Sequence, residues 1–292
     1  IWDRRYKQKQ KITSALTVAD LQLPKGPFGP TRFPRRVNKI CDEADWQGQE
    51  WLSILEALGE AHRATDKHRK AWEWAQGIYA LRHLGLLHDE ATAIGVGAGV
   101  ESVLFYLANE IKMVTATDIY GEGDFAVDTA QAAMLTDPAR YTKIPYREDH
   151  LTVMYMNGLK LDFPDNFFDF AFSFSSIEHF GGHHAAAQAM REMARVIKPG
   201  GAVIITSEVI LNSQGHAEFF LPGEIQEYLI DSNDLEPIEE IDYTVSAETL
   251  ANAVNMDAPG YETQLPHIIL QHHPIYFTTF CLVMQKLKPS SN

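Results

Sequence analysis

Cysteine is scarce in this chain of 292 residues. There are two, Cys41 and Cys281, separated by most of the sequence. Two distant cysteines can build neither a disulfide framework nor a cysteine-rich zinc site, so a reducing, cytoplasmic setting is expected. Long apolar runs are also missing. The longest, 202–206 and 277–284, fall far short of the roughly 20 residues a membrane helix needs, and a soluble protein is expected. No stretch reads as a signal peptide, and no internal repeat or low-complexity tract stands out. Among the histidines, His179, His183 and His184 cluster across Gly181 and Gly182, but without the i, i+4 spacing of a zinc helix or a local aspartate; no metal is expected.

Charge is plentiful but uneven. The net charge is −14, yet residues 1–40 carry ten Lys or Arg against Asp3 and Asp20, which gives +8 there and −22 in the remainder. A basic arm ahead of an acidic body fits a polyanion partner or, favoured here, docking onto the body itself. Residues 1–67 therefore read as a basic extension and helical lid, and 68–292 as the main domain. With 45% hydrophobic residues, the chain can bury one large core.

Four prolines and two glycines between 22 and 37 make that stretch extended and irregular. Apolar residues at helical spacing predict helices over 46–61 and 68–87, and Trp46, Trp51, Trp72 and Trp74 there could pack the helices or wall a small acceptor. Beyond them, short apolar runs predict strands at 91–96, 113–118, 151–156, 168–174, 202–207, 238–245 and 275–285. Helices are expected at 100–110, 125–135, 185–196 and 222–232. Apolar strands alternating with helices imply a doubly wound, mostly parallel α/β sheet, and the last two strands, lacking a full helix between them, allow an antiparallel final strand.

The turn from the first of these strands into its helix reads "IGVGAGVES", with Gly95, Gly97 and Gly99 at alternate positions. A glycine-rich turn there is where open α/β sheets bind ligands, and bare backbone permits close approach. The nicotinamide fingerprint places a third glycine at position 100, which is Val100, so a dehydrogenase is disfavoured though still an alternative. Asp118 ends the next strand, where a carboxylate can accept from both hydroxyls of an adenosine ribose.

Two further runs follow, "MNGLKLDFPDNFFDFAFSFSSIEHFGG" (156–182) and "EMARVIKPGGAVIITSE" (192–208). With the glycine turn and Asp118 they reproduce five motifs in order. On them the chain resembles the class I S-adenosylmethionine-dependent methyltransferases over roughly residues 70–285. The resemblance implies a seven-stranded Rossmann-like sheet with an antiparallel last strand and S-adenosylmethionine as cofactor. It implies cofactor contacts at Gly95, Gly97, Gly99, Asp118, Asn157, Gly158, Ser173 and Phe174, with Ile119 and Leu159 against the adenine faces. The chain departs from the pattern at two places. Ala93 stands where an acid is usual, and Glu101 is a candidate to reach the cofactor's ammonium instead. Asn157 stands where aspartate often accepts from the adenine amino group, and an amide oxygen can also accept.

In methyl transfer the protein chiefly aligns donor and acceptor, and a general base helps when the acceptor is a hydroxyl. Candidate bases facing the strand ends are His179, His183, His184, Glu208 and His216; His179 is the one taken forward, its alternative a packing role beside the site. The strand-end residues Ser173, Phe174, Ser175 and Ser176 lack the pattern of nucleic-acid amino methylation, and neither cysteine falls there, which disfavours nucleobase targets. The wording is most similar to bacterial methyltransferases encoded near polysaccharide genes, which implies a small-molecule or glycan hydroxyl as acceptor. RNA or protein methylation guided by the basic arm, and a non-catalytic scaffold, stay open, as does the oligomeric state.

Overall fold

The computed structural model describes residues 16–288. Strand β2 (Thr92–Val96) starts a parallel core with β3 (Met113–Asp118) and β4 (Leu151–Tyr155) on one side and β5 (Phe168–Phe174) and β6 (Ile197–Ile210) on the other. The 12-residue β10 (Ile275–Lys286) then runs antiparallel along β6 from Phe277 to Gln285. β2, β3, β5 and most of β6 are buried on both faces because helices cover them, and the few polar side chains they carry, such as Thr117 and Ser207, are buried too.

Helix α3 (Arg69–His83) lies on β6 and β10, α4 (Ser102–Glu110) on β3 and β4, and α5 (His183–Val196) on β5 and β6. The resulting order, β4-β3-β2-β5-β6-β10, is the mostly parallel sheet with an antiparallel end that the sequence implies. The sheet has ten strands rather than seven. β1 (Lys39–Ile40), β7 (Leu235–Pro237) and β9 (Leu270–His272) all pair with β10, and β8 (Val254–Asn255) pairs with β9.

Two expected elements are absent. No strand spans 238–245; pairing stops at Pro237, and the edge of β10 passes to β1. Asn38 makes that exchange possible: its buried side chain donates to the carbonyls of Glu239 and Val283 and accepts from Val283 N, standing in for ladder bonds. No α-helix spans 125–135. Gly121 and Gly123 turn the chain at φ of +85° and +74°, Gly121 N donates to Ala130 O and Ala130 N to Phe125 O, and only Ala132–Leu135 forms a 3-10 turn. Several apolar residues of this segment are left outside, Phe125 at 42% and Val127 at 78% exposed, while Ala130 and Met134 are buried.

The described part of the N-terminal region, including α1 (Gln49–Ala57) and α2 (Arg63–Asp66), shares the main core. Trp46 and Trp51 meet edge to face at 5.0 Å, and Trp72 donates its indole N–H to Asp45 at 2.7 Å. All three are buried, so they pack rather than wall a cleft; Trp74 alone is half-buried near the strand ends. Arg35 and Lys39 also converge on Asp45, at 3.0 and 2.6 Å. No helix among the described residues is long and apolar enough to cross a membrane.

Helix α3 can sit this low because Gly77 faces the Phe174 ring, where a Cβ would stand 2.5 Å from Phe174 Cζ. Phe174 is locked in the core and cannot swing aside. Gly77→Ala is therefore expected to destabilise the fold by about 1–3 kcal/mol, an overpacking cost that outweighs the gain in helix propensity. Urea unfolding of the two proteins checks this; an unchanged midpoint would show that α3 does not depend on that contact.

Candidate active site

The glycine turn is shaped from both sides. Gly97 (φ +65°) and Gly99 (φ +51°) adopt left-handed backbone, and a Cβ at Gly99 would lie 2.6 Å from the Thr129 carbonyl oxygen. Ser176 Oγ donates to Gly97 O at 2.7 Å, and the Tyr120 hydroxyl donates to Gly99 O at 2.9 Å. Gly95 lies inside β2 with the Phe172 ring against it, so its lack of a side chain serves packing.

Asp118 accepts from Gly99 N at 2.9 Å and from Ile119 N at 2.7 Å, one bond to each carboxylate oxygen. Burial raises its pKa while these bonds oppose the shift. Each oxygen keeps a lone pair for a ribose hydroxyl. Ile119 is 37% exposed at the mouth, and Met156 N donates to Asp118 O, which brings Asn157 alongside. Asn157 Oδ1 accepts from Leu159 N at 2.9 Å, and Leu159 is half-buried. The Phe180 ring is wedged between Gly97 and Gly158, where a Cβ on either would come within 2.9 Å of it. The glycines at 97, 99 and 158 let Phe180, Ser176 and the Thr129 carbonyl close against the turn, and the acid at the adjacent strand end fits a ribose.

Ser173 and Phe174 are in the core. Ser173 Oγ has no hydrogen-bond partner among the described residues, and of Phe174 only the carbonyl reaches the cluster described next. Ser175 follows in left-handed backbone (φ +48°), a strained conformation that clusters at functional sites.

That cluster is a network of buried charge in which the sequence marked Glu101 and Glu208 but not Arg69, Lys70 or Glu73. Lys70 Nζ is 2.5 Å from Glu101, 3.2 Å from Glu73 and 3.0 Å from Phe174 O. Glu101, the candidate for the cofactor ammonium, is thus already paired; burial raises its pKa and Lys70 opposes this. Arg69 is 2.6 Å from Glu208 and 3.2 Å from Glu73. Glu178 accepts from Ser207 Oγ at 2.9 Å and faces Glu208. Burial and the Glu208 charge push the Glu178 carboxyl well above the carboxylate range. Burial also works to raise Glu208, but Arg69 and a hydrogen bond from Glu178 bring it to about 2. The pair thus favours a protonated Glu178 beside an ionised, Arg69-bound Glu208.

His179, next in sequence, points outward. Its Nδ1 is 3.1 Å from Glu218, its Nε2 3.8 Å from Glu178, and its ring lies 4.9 Å from Phe125. The other two histidines diverge from it: His183 Nε2 is 3.1 Å from Phe219 O, and His184 packs edge-on against Tyr228. No signal in the sequence marked Lys70 or Glu218; Phe180 lay unremarked inside the quoted motif.

The parallel sheet with its antiparallel end, and the glycine turn facing an acid across the strand tips, define a class I Rossmann-like methyltransferase. Residues 94–205 match the family model described as a methyltransferase domain. The chain carries that domain, and it is an S-adenosylmethionine-dependent methyltransferase. Similar solved structures include a candidate sarcosine dimethylglycine methyltransferase from Galdieria sulphuraria, 16% identical over 82% of this chain and 99% of that one, TM-score 0.52. Another is Haemonchus contortus phosphoethanolamine N-methyltransferase 2 with S-adenosyl-L-methionine, 13% identical over 83% of this chain and 61% of that one, TM-score 0.50. At such identity these report the fold.

The protonated Glu178 has a consequence for stability. Above the ordinary carboxylate pKa of about 4.3, the unfolded chain releases a proton that the folded chain keeps. Stability therefore falls as pH rises, by up to about 1.4 kcal/mol per unit, until the raised pKa is reached. Glu208 acts oppositely at the acid end, where stability is lost as pH falls toward about 2. Glu178→Gln keeps a donor for Glu208 and removes the proton, so its melting temperature from pH 5 to 9 is expected to slope down less than wild type. Parallel curves would show Glu178 ionised in the folded protein.

Proposed function

We propose that this methyltransferase acts on a hydroxyl of a small molecule or glycan, with the cofactor seated against Gly97, Gly99, Asp118, Asn157 and Gly158 and with His179 as the base. The observation that carries the reading is the place of His179, on the turn following β5 whose Ser176 is bonded to the glycine turn. Bound S-adenosylmethionine supplies an electrophilic methyl group. His179 receives the acceptor's hydroxyl proton, and Glu218 stands against the positive charge that results.

Lys70 and Glu101, 2.5 Å apart, re-pair with the amino-acid end of the cofactor when it binds, the ammonium of Lys70 suiting its carboxylate and the carboxylate of Glu101 its ammonium. With Glu178 neutral, the cluster of Glu73, Glu101, Glu208, Arg69 and Lys70 carries one excess negative charge, which favours a cationic sulfonium.

The basic arm lends less support to a polyanion acceptor. Within residues 16–40, Arg35 and Lys39 pair with Asp45, and Arg36 lies 3.8 Å from Asp242 and donates to Gly29 O and Glu240 O. Arg4, Arg5, Lys7, Lys9 and Lys11 lie outside the described residues.

Two measurements test the reading. By calorimetry, Lys70→Met is expected to weaken S-adenosylhomocysteine about tenfold and leave 5′-methylthioadenosine, which lacks the amino-acid end, unchanged; equal losses would deny Lys70 that role. Against a panel of sugars and hydroxylated natural products, His179→Gln is expected to cut methyl transfer by about 10²–10⁴-fold with S-adenosylhomocysteine affinity intact. Undiminished turnover would remove His179 as base.

A further inference from the structure

We infer that Glu218 is a positioning residue for His179, fixing the imidazole in the tautomer that carries its proton on Nδ1 and leaves the Nε2 lone pair for the acceptor. The inference rests on the reading of His179 as base and deepens it. Two carboxyl groups flank the ring, and only one can take its proton. Glu178 lies 3.8 Å from Nε2, beyond hydrogen-bond distance, so it does not accept from that nitrogen. Glu218 lies 3.1 Å from Nδ1 and is that nitrogen's acceptor. Which ring nitrogen bears hydrogen is set by the bond the other makes.

Glu218 is 42% exposed, but its backbone is held firmly. The segment carrying it leaves β6 at Ile210, whose N–H donates to Phe220 O at 2.8 Å, and Phe220 N donates back to Glu208 O at 3.1 Å. His216 Nδ1 accepts from both Glu218 N and Phe219 N at 3.1 Å, and its ring stacks on Phe219 at 4.3 Å. Phe219 rests in turn on Phe277 at 4.5 Å, and its carbonyl lies 3.1 Å from His183 Nε2. The charged and titratable groups facing His179 are thus Glu178 on its own turn and Glu218 from the segment after β6, with Glu208 behind Glu178 and His216 behind Glu218. The Phe125 ring closes the remaining side.

Protein labelled with ¹⁵N at histidine, followed by multiple-bond ¹H–¹⁵N correlation at a pH where His179 is neutral, reads the tautomer without any acceptor substrate. His179→Gln identifies the cross-peaks. Wild type is expected to show the Nδ1–H form, and Glu218→Gln to retain it, because the amide oxygen still accepts. Glu218→Ala is expected to give a mixture with little change in melting temperature. An Nε2–H form in wild type, or an undisturbed Nδ1–H form in Glu218→Ala, would overturn the inference. The base reading fails separately, if His179→Gln keeps its turnover while the tautomer results hold.

Discussion

Two cations in the first turn of α3 hold the catalytic end of this protein together. A helix N-terminus disfavours positive charge, so Arg69 and Lys70 stand there against the local dipole. The acids compensate: Glu73 one turn on, Glu101 at the entry to α4 and Glu208 in β6. Burying such a set adds little net stability, since desolvation consumes most of the Coulomb attraction, whereas removing one member costs about 3–5 kcal/mol. The network's contribution is therefore geometric, tying a helix, a strand tip and a helix start to one another at fixed distances.

The close seat of α3 makes that geometry possible. Gly77 admits the Phe174 ring beneath the helix, and the same approach carries Lys70 to the Phe174 carbonyl at the end of β5. From there the chain passes through the strained Ser175 to Ser176, whose hydroxyl fixes Gly97. On the other flank Asp118 and Tyr120 fix Gly99. The glycine turn is thus held from two flanks by the protein itself, the usual condition for a site to orient its reactants without spending binding energy on ordering itself.

Much of this was legible in the sequence, for definite reasons. β3 and β5 run over the predicted residues because each is a short apolar run buried on both faces and bounded by polar or turn residues. The glycine turn was readable because left-handed backbone and close neighbours at Gly97 and Gly99 restrict residue type, and Asp118 because its carboxylate ties the end of β3 to that turn. The helix expected at 125–135 failed because local glycine turns overrode apolar spacing. The strand expected at 238–245 failed because Asn38, 200 residues earlier in the chain, took the ladder positions; no local pattern reports such a substitution. Lys70 and Glu218 escaped for a related reason. Neither belongs to a motif, and each acquires its role from a partner brought near by the fold.

Adjacent residues on one short turn show how burial divides chemical roles. In the 3-10 turn Ile177–His179, Glu178 points inward and is fully buried while His179 points outward and is 27% exposed. A buried carboxyl beside an ionised Glu208 cannot also ionise without placing two like charges in a low-dielectric interior, so it stays neutral and anchors the turn through Glu208 and Ser207. A neutral Glu178 adds no negative charge beside Nε2. Burial thus splits the turn between an inner acid that anchors it to β6 and an outer imidazole that meets Glu218.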